Sequence, residues 1–442
     1  MFNTIRNAVK IPDLRKKLLF TFFMMVVFRF GAHIPVPFLS ADAMKAFLGN
    51  GTDLFALFDV FTGGAFSNAT VMALGVSPYI NASIIIQLLT VAIPALERLA
   101  KEGAEGRKKI NKITRYTGII LAFVQGAGLY VTLHNIGVEN KMTAIINESV
   151  LTFFIITLTF TAGTAFVVWL GEQITDKGIG NGISLLIFAG IVSRIPSGCV
   201  AIYKKFLGDV MTVMSAAVVV GIVVVAVGAI VLVVLFDTAE RRIPVQYAKR
   251  VVGRKMYGGQ STNIPIKVVM GGVMPIIFAS SIMAFPATVV RLATGANLPQ
   301  SGIWYRVLGC LTAGYGPGWT DAVYSVLYFL LIIFFTYFYA SIQFNPIEMA
   351  NNMKRSGGYI PGYRPGKPTS DYIAKVAQRL NLAGAFFLGV IAIMPVIVGA
   401  IFKMPGLQIG GTSLLIMEGV ALEFVRQVES QMVMRNYKGF LE

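Results

Sequence analysis

The chain alternates between long apolar runs and shorter polar segments. Ten runs stand out, at 18–34, 72–94, 116–134, 150–170, 183–203, 210–236, 268–290, 322–343, 380–401 and 412–432. A helix needs about 20 mostly apolar residues to cross roughly 30 Å of hydrocarbon, and these runs come close to that length. Runs so long and so many exceed what globular cores use. The pattern therefore predicts an all-α polytopic membrane protein with ten transmembrane helices. The first run ends in His33-Ile34-Pro35-Val36-Pro37, without a small-x-small cleavage site, so it is expected to stay as an uncleaved span.

One apolar stretch breaks the pattern. Leu54-Phe55-Ala56-Leu57-Phe58-Asp59-Val60-Phe61-Thr62-Gly63-Gly64-Ala65-Phe66 is too short to span, and Gly63-Gly64 reads as a helix stop. It is either a helix lying on the outer surface or a re-entrant segment inside the bundle. Irregular backbone at membrane depth is tolerated only where protein or water surrounds it.

Composition agrees with the pattern. Of 442 residues, 55% are hydrophobic and only 13% charged, with a mean hydropathy of +0.71. A soluble chain of this length needs more charge on its surface. The net charge is +17, and its placement carries the information. If the N-terminus lies inside, segments 1–17, 95–115, 171–182, 237–267, 344–379 and 433–442 hold 28 of the 38 Lys and Arg residues, and outside segments hold 7. This bias predicts that both termini are cytoplasmic.

Ten spans divide into five and five. An odd half-count puts the second half into the membrane in the opposite sense, the condition for an inverted repeat. The expected units are therefore 1–203 (spans 1–5, with the short stretch near 54–66) and 204–442 (spans 6–10, with cytoplasmic loops 237–267 and 344–379). Both loops mix cations with turn residues, as in Arg241-Arg242-Ile243-Pro244 and Tyr359-Ile360-Pro361-Gly362-Tyr363-Arg364-Pro365-Gly366. Topology alone accounts for a basic loop. Proline-stiffened basic loops also suit an anionic partner such as ribosomal RNA or an acidic protein.

No enzyme motif is present, and neither a catalytic residue, a metal nor a cofactor is expected. Gly178-Ile179-Gly180-Asn181-Gly182 follows a span and not a strand, so it reads as a cytoplasmic turn. Cys199 and Cys310 form no CxxC pair. The spans carry few ionisable residues: Glu418 and Glu423 in the last one, with Arg29 and Asp321 near span ends. An ion-coupled secondary transporter with a five-plus-five inverted repeat is the rival reading, and it is weakened by the lack of an acidic cluster. Aliphatic residues do sit beside helix-bending ones. Val76 and Ile80 flank Pro78, Ile183 and Ile187 share a helix face, Ile277 follows Pro275, and Ile416 follows Gly410-Gly411. Such residues either pack ordinarily or form a hydrophobic constriction.

Longer motifs go further. The stretches Gly75-Val76-Ser77-Pro78-Tyr79-Ile80-Asn81-Ala82-Ser83-Ile84-Ile85-Ile86-Gln87, Trp169-Leu170-Gly171-Glu172-Gln173-Ile174-Thr175 and Gly178–Ser184 occur in order with Arg241–Pro244, Tyr247-Ala248-Lys249-Arg250, Pro361–Gly366 and Gly410–Ile416. Over nearly its whole length the chain resembles the SecY family, the central subunits of bacterial protein translocons. The resemblance implies a protein-conducting channel that passes unfolded secretory polypeptides across the bacterial plasma membrane and releases transmembrane segments laterally into lipid. It implies an hourglass pore with an aliphatic ring at Val76, Ile80, Ile183, Ile187, Ile277 and Ile416. Below the ring it implies a plug, here including Phe58, Val60, Phe61, Gly63 and Gly64. It implies a lateral gate between the second and seventh spans, with Asn81 and Gln125 at polar gate positions and Phe285 where some members carry a polar residue. Arg241, Arg242, Lys249, Arg250 and Arg364 would dock a SecA motor ATPase or a ribosome, and small SecE- and SecG-like membrane subunits would complete the assembly.

Overall fold

A computed structural model describes residues 2–41, 44–45, 59–140, 145–146, 149–207, 213–247, 250–252, 255–257, 261–294, 302–312, 318–401 and 405–438. It is mostly helical. A basic helix α1 (Phe2–Lys10) leads into α2 (Pro12–Gly31), then α3 (Ser77–Ala92), α4 (Pro94–Lys101), α5 (Ala104–Asn140), α6 (Val150–Lys177), α7 (Gly182–Leu207) and α8 (Val213–Thr238). After four strands come α9 (Met274–Thr294), α10 (Ile303–Leu311), α11 (Gly318–Gln343), α12 (Pro346–Arg355), α13 (Lys367–Ile401) and α14 (Pro405–Lys438).

Among the described residues, 6 helices are long and apolar enough to cross a membrane, or up to 7 if α3 and α4, bent by 100° at Ile93-Pro94, form one broken span. The first predicted run falls on α2, where Lys17 and Arg29 bracket a short apolar stretch. The second was expected to start at 72, but α3 starts at Ser77. Gly75 adopts φ +53, and Pro78 needs a helix's first turn because it lacks an N–H. Conversely α5 and α13 begin 12 or more residues before the runs at 116 and 380, because a helix continues into water once its polar residues are solvated.

Apolar surface faces outward as freely as inward. Phe22, Phe23 and Phe30 of α2, Val223, Val224 and Val227 of α8, and Phe334 of α11 are all exposed. Water would not tolerate so much contiguous apolar surface, whereas lipid does. Inside, α3 packs on α5, α5 on α6, α6 on α7, α9 on α11, and α11 and α14 on α13.

The all-α expectation needs one correction. The basic loops contain strands: β1 (Glu240–Tyr247), β2 (Arg250–Val252), β3 (Lys255–Tyr257), β4 (Ser261–Lys267) and β5 (Gly358–Tyr359). In β1, Ile243 and Val245 point inward between exposed neighbours, the period-2 pattern of a half-buried strand. β1 pairs antiparallel with β4, Ile243 opposite Ile264, and on its other edge with β5, Gln246 opposite Tyr359. The two basic loops thus share one three-stranded sheet, ordered β4-β1-β5. Ile243, Val245, Ile266, Met353, Ile360 and Ile373 form its core.

Candidate functional site

The aliphatic residues singled out in the sequence come from four separate helices. Val76 precedes α3, and its carbonyl accepts the Ile80 N–H at 3.0 Å, which sets both side chains on one turn. The Asn181 carboxamide oxygen accepts the N–H groups of Ile183 at 3.1 Å and Ser184 at 3.4 Å. This N-cap starts α7 and places Ile183 and Ile187 in its first two turns. The adjoining glycines serve packing: a Cβ on Gly182 would lie 1.9 Å from the Gly171 carbonyl oxygen. Ile277 lies in the first turn of α9, after Pro275, and Ile416 lies in α14. All six belong to one apolar cluster, with Val76, Ile187, Ile277 and Ile416 fully buried and Ile80 and Ile183 partly so. Chain separations of more than 300 residues are closed by packing alone.

Val60 and Phe61 pack into the same cluster. Of the short apolar stretch, 59–61 are helical and turns follow to 76. Phe58, and residues 54–57 before it, lie outside the described residues. Gly63 and Gly64 adopt φ +65 and +90, which stops the helix as the pair suggested. Asp59 is buried and pairs with Arg194 of α7. Its other carboxylate oxygen accepts the Ser67 N–H at 2.8 Å. Arg29 of α2 donates to the Gly63 carbonyl at 2.9 Å. The returning strand of chain is tied to the segment after α2, since Val36 N–H donates to Ala69 and Val71 N–H to Ile34, both at 2.9 Å.

Asp59, Arg29 and Arg194 were not chosen from sequence as site residues. The signal was available: an ionisable residue within apolar sequence needs a partner, and three occur here. Which one pairs with which is decided in space.

The gate positions are less convergent. Asn81 and Gln125 are partly buried on the neighbouring helices α3 and α5, and Phe285 on α9 is exposed. Among the described residues no hydrogen bond joins Asn81 to Gln125. The α3–α9 seam is instead apolar: Ile84, with Ile80 and Leu88 beside it, shares a cluster with Ile276, Phe278, Ala279 and Met283.

Of the docking residues, Arg241 and Arg364 are exposed. Arg242 is also exposed and pairs with Glu240 at 2.8 Å. Arg250 opens β2, and Lys249 lies outside the described residues. The Tyr359 hydroxyl donates to the Gln246 side-chain oxygen at 3.0 Å, joining the two loops. On α4, Lys101 hydrogen-bonds Glu97 and holds its carboxyl below the ordinary value.

Among the described residues no three Asp, Glu, His or Cys side chains gather in one place. Asp237 pairs with Arg426 at 3.1 Å, and Glu423 accepts from Gln427 at 3.3 Å. Glu418 is buried nearby.

Comparison with known proteins bears on this arrangement. The SecY family profile matches residues 70–425. A protein translocase subunit SecY from Streptomyces galbus is 45% identical over 100% of both chains. Among solved structures, a SecY protein whose plug domain stabilises the closed state of the translocation channel and maintains a membrane seal superposes with a TM-score of 0.67 at 20% identity, covering 94% of this chain and 92% of the other. Sec61 in the canine ribosome-channel complex superposes with a TM-score of 0.61 at 18% identity, covering 94% and 92%.

Proposed function

This chain belongs to the SecY family, and from that premise we propose that it conducts unfolded secretory polypeptides across the plasma membrane and releases transmembrane segments sideways into lipid. The observation that carries the reading is the convergence of six aliphatic side chains from four helices with Val60 and Phe61 packed among them. An extended peptide cannot cross lipid unaided, because each unpaired amide and carbonyl costs several kcal/mol there. A wet funnel removes that cost. An aliphatic collar then excludes water and ions when idle and yields around a moving chain.

On this reading there are ten spans in two inverted halves, 1–203 and 204–442, with both termini cytoplasmic, and 59–66 forms part of the plug. The first turns of α3 and α7 would enter from opposite faces, so a cluster uniting them belongs near mid-depth. The α3–α9 seam, apolar and with an exposed Phe285, would open to lipid. The apolar cluster that Ile84 shares with Ile276, Phe278 and Met283 across that seam favours a gate held by packing. The chain carries no nucleotide motif, so the driving force comes from a partner: a SecA motor or a ribosome docked on the β4-β1-β5 sheet through Arg241, Arg242, Lys249, Arg250 and Arg364. The bare apolar face of α8 suits lipid or small SecE- and SecG-like subunits. An ion-coupled transporter finds no support, since family membership and the scattered carboxylates both speak against it.

Stalled precursor carrying a photo-crosslinker tests this directly. Labelling is expected at Ile80, Ile187 and Ile277; labelling confined to lipid-facing residues such as Val224 would sink the collar assignment.

A further inference from the structure

We propose that Asp59, Arg194 and Arg29 form a clasp that holds segment 59–66 in the aliphatic collar and so sets how tightly the idle channel is sealed. This rests on the channel reading above and adds to it what fastens the seal.

Val60 and Phe61 pack against the cluster that holds the six aliphatic residues, so on the channel reading both must leave before a polypeptide passes. Apolar packing is non-directional and does little to define the depth or register of so short a segment. Polar contacts on either side do. Arg194 grips the carboxylate immediately before Val60. Arg29 grips the Gly63 carbonyl two residues after Phe61. The cations come from different helices, α7 and α2, so the segment is held from two directions. Ser67 N–H on the second Asp59 oxygen closes the segment on itself.

The backbone is shaped for this fit. A Cβ on Gly190 of α7 would lie 2.1 Å from the Phe61 carbonyl oxygen, and one on Gly63 would lie 2.5 Å from both Arg29 Nη1 and Ser193 Oγ. Glycine at both places lets the segment sit flush against α7.

The charges make the clasp reversible. Asp59 is 3% exposed at its side chain, and Arg194 is 36% exposed. Losing one partner while docked strands a buried charge, which is strongly unfavourable. Moving the whole segment into a wet funnel solvates both charges, so opening costs far less than breaking the pair in place. The two guanidinium groups also flank adjacent glycines, since a Cβ on Gly63 would lie 2.5 Å from Arg29 Nη1 and one on Gly64 3.9 Å from Arg194 Cζ, and like charges so placed repel. Neutralising Asp59 therefore removes the attraction and leaves the repulsion. None of the three touches the passing chain in this scheme; they are positioning residues.

The test uses the full chain with its co-purifying membrane subunits in planar bilayers. Ion conductance is recorded without precursor, and precursor transport is measured in parallel. Asp59→Asn and Arg194→Gln are each expected to raise idle conductance about tenfold, since a hydrogen bond to a charged group is worth about one decade. The double variant should leak no more than the leakier single one, because either change ends the same contact. Arg194→Lys should keep most of the seal, and transport should persist throughout. Idle conductance within about twofold of the unaltered chain in both single variants, with transport intact, would overturn the clasp and leave the channel reading standing. Failure of the unaltered chain itself to transport or to conduct with precursor would defeat the channel reading instead. Should Asp59→Asn fail to assemble, Arg29→Gln removes only the bond to Gly63 and is expected to raise conductance about threefold; no rise counts against the clasp.

Discussion

Two kinds of side chain would make the proposed seal, and each obeys a different rule. Aliphatic residues at Val76, Ile80, Ile183, Ile187, Ile277 and Ile416 need only size and apolarity; their spacing left ordinary packing open, and the family resemblance singled them out. Gly63 is different, because its φ of +65 strains any residue that carries a side chain, whatever the space available. Gly63→Ala is expected to destabilise the docked segment by about 1–2 kcal/mol from backbone strain alone, with the contact to Arg29 and Ser193 added. Protease accessibility of 59–66 in sealed vesicles should rise about tenfold. Asp59 and Arg194 could be flagged as charges in apolar sequence, but their pairing spans 135 positions and depends on how α7 stands beside segment 59–66.

At the level of elements, the helices follow the apolar runs, whereas the basic loops hold strands that no apolar run marks. β1 is 8 residues long and has only two fully buried positions, too weak a signal against the prolines and cations around it. Its partner β5 lies more than 100 residues away, and that pairing, with the core the two loops share, joins them. Ile243 is 1% exposed at the centre of the shared core. Ile243→Ala should cost about 2–5 kcal/mol and loosen both loops together, seen as parallel gains in proteolysis of 237–267 and 344–366. Arg364 sits exposed on a turn fixed by the bond from the Thr369 hydroxyl to its own carbonyl, at 2.8 Å. Arg364→Glu should leave that turn and the channel assembled while cutting motor-driven transport about tenfold or more, measured in inverted vesicles.

For the whole molecule, charge and apolar surface divide the work. Exposed apolar faces such as that of α8 suit lipid, and the basic residues Arg241 and Arg242 are carried on the sheet that follows it. If the sheet docks an anionic partner, raising salt from about 0.1 M to about 1 M shortens the screening length from about 10 Å to about 3 Å, so ribosome binding should weaken steeply while the chain stays folded. Flotation of vesicles with bound ribosomes reads this out. Sequence by itself was enough for the helical class, the membrane setting and the basic character of the loops. These are properties of composition and local period, and the bilayer acts on each run separately. Tertiary structure alone decided that the six aliphatic residues share one cluster, that Val60 and Phe61 pack against it, that two distant loops form one sheet, and that Asp59 answers Arg194. Each of those depends on where separate helices cross, and a crossing is set by packing over the whole bundle, which leaves no local trace in the chain.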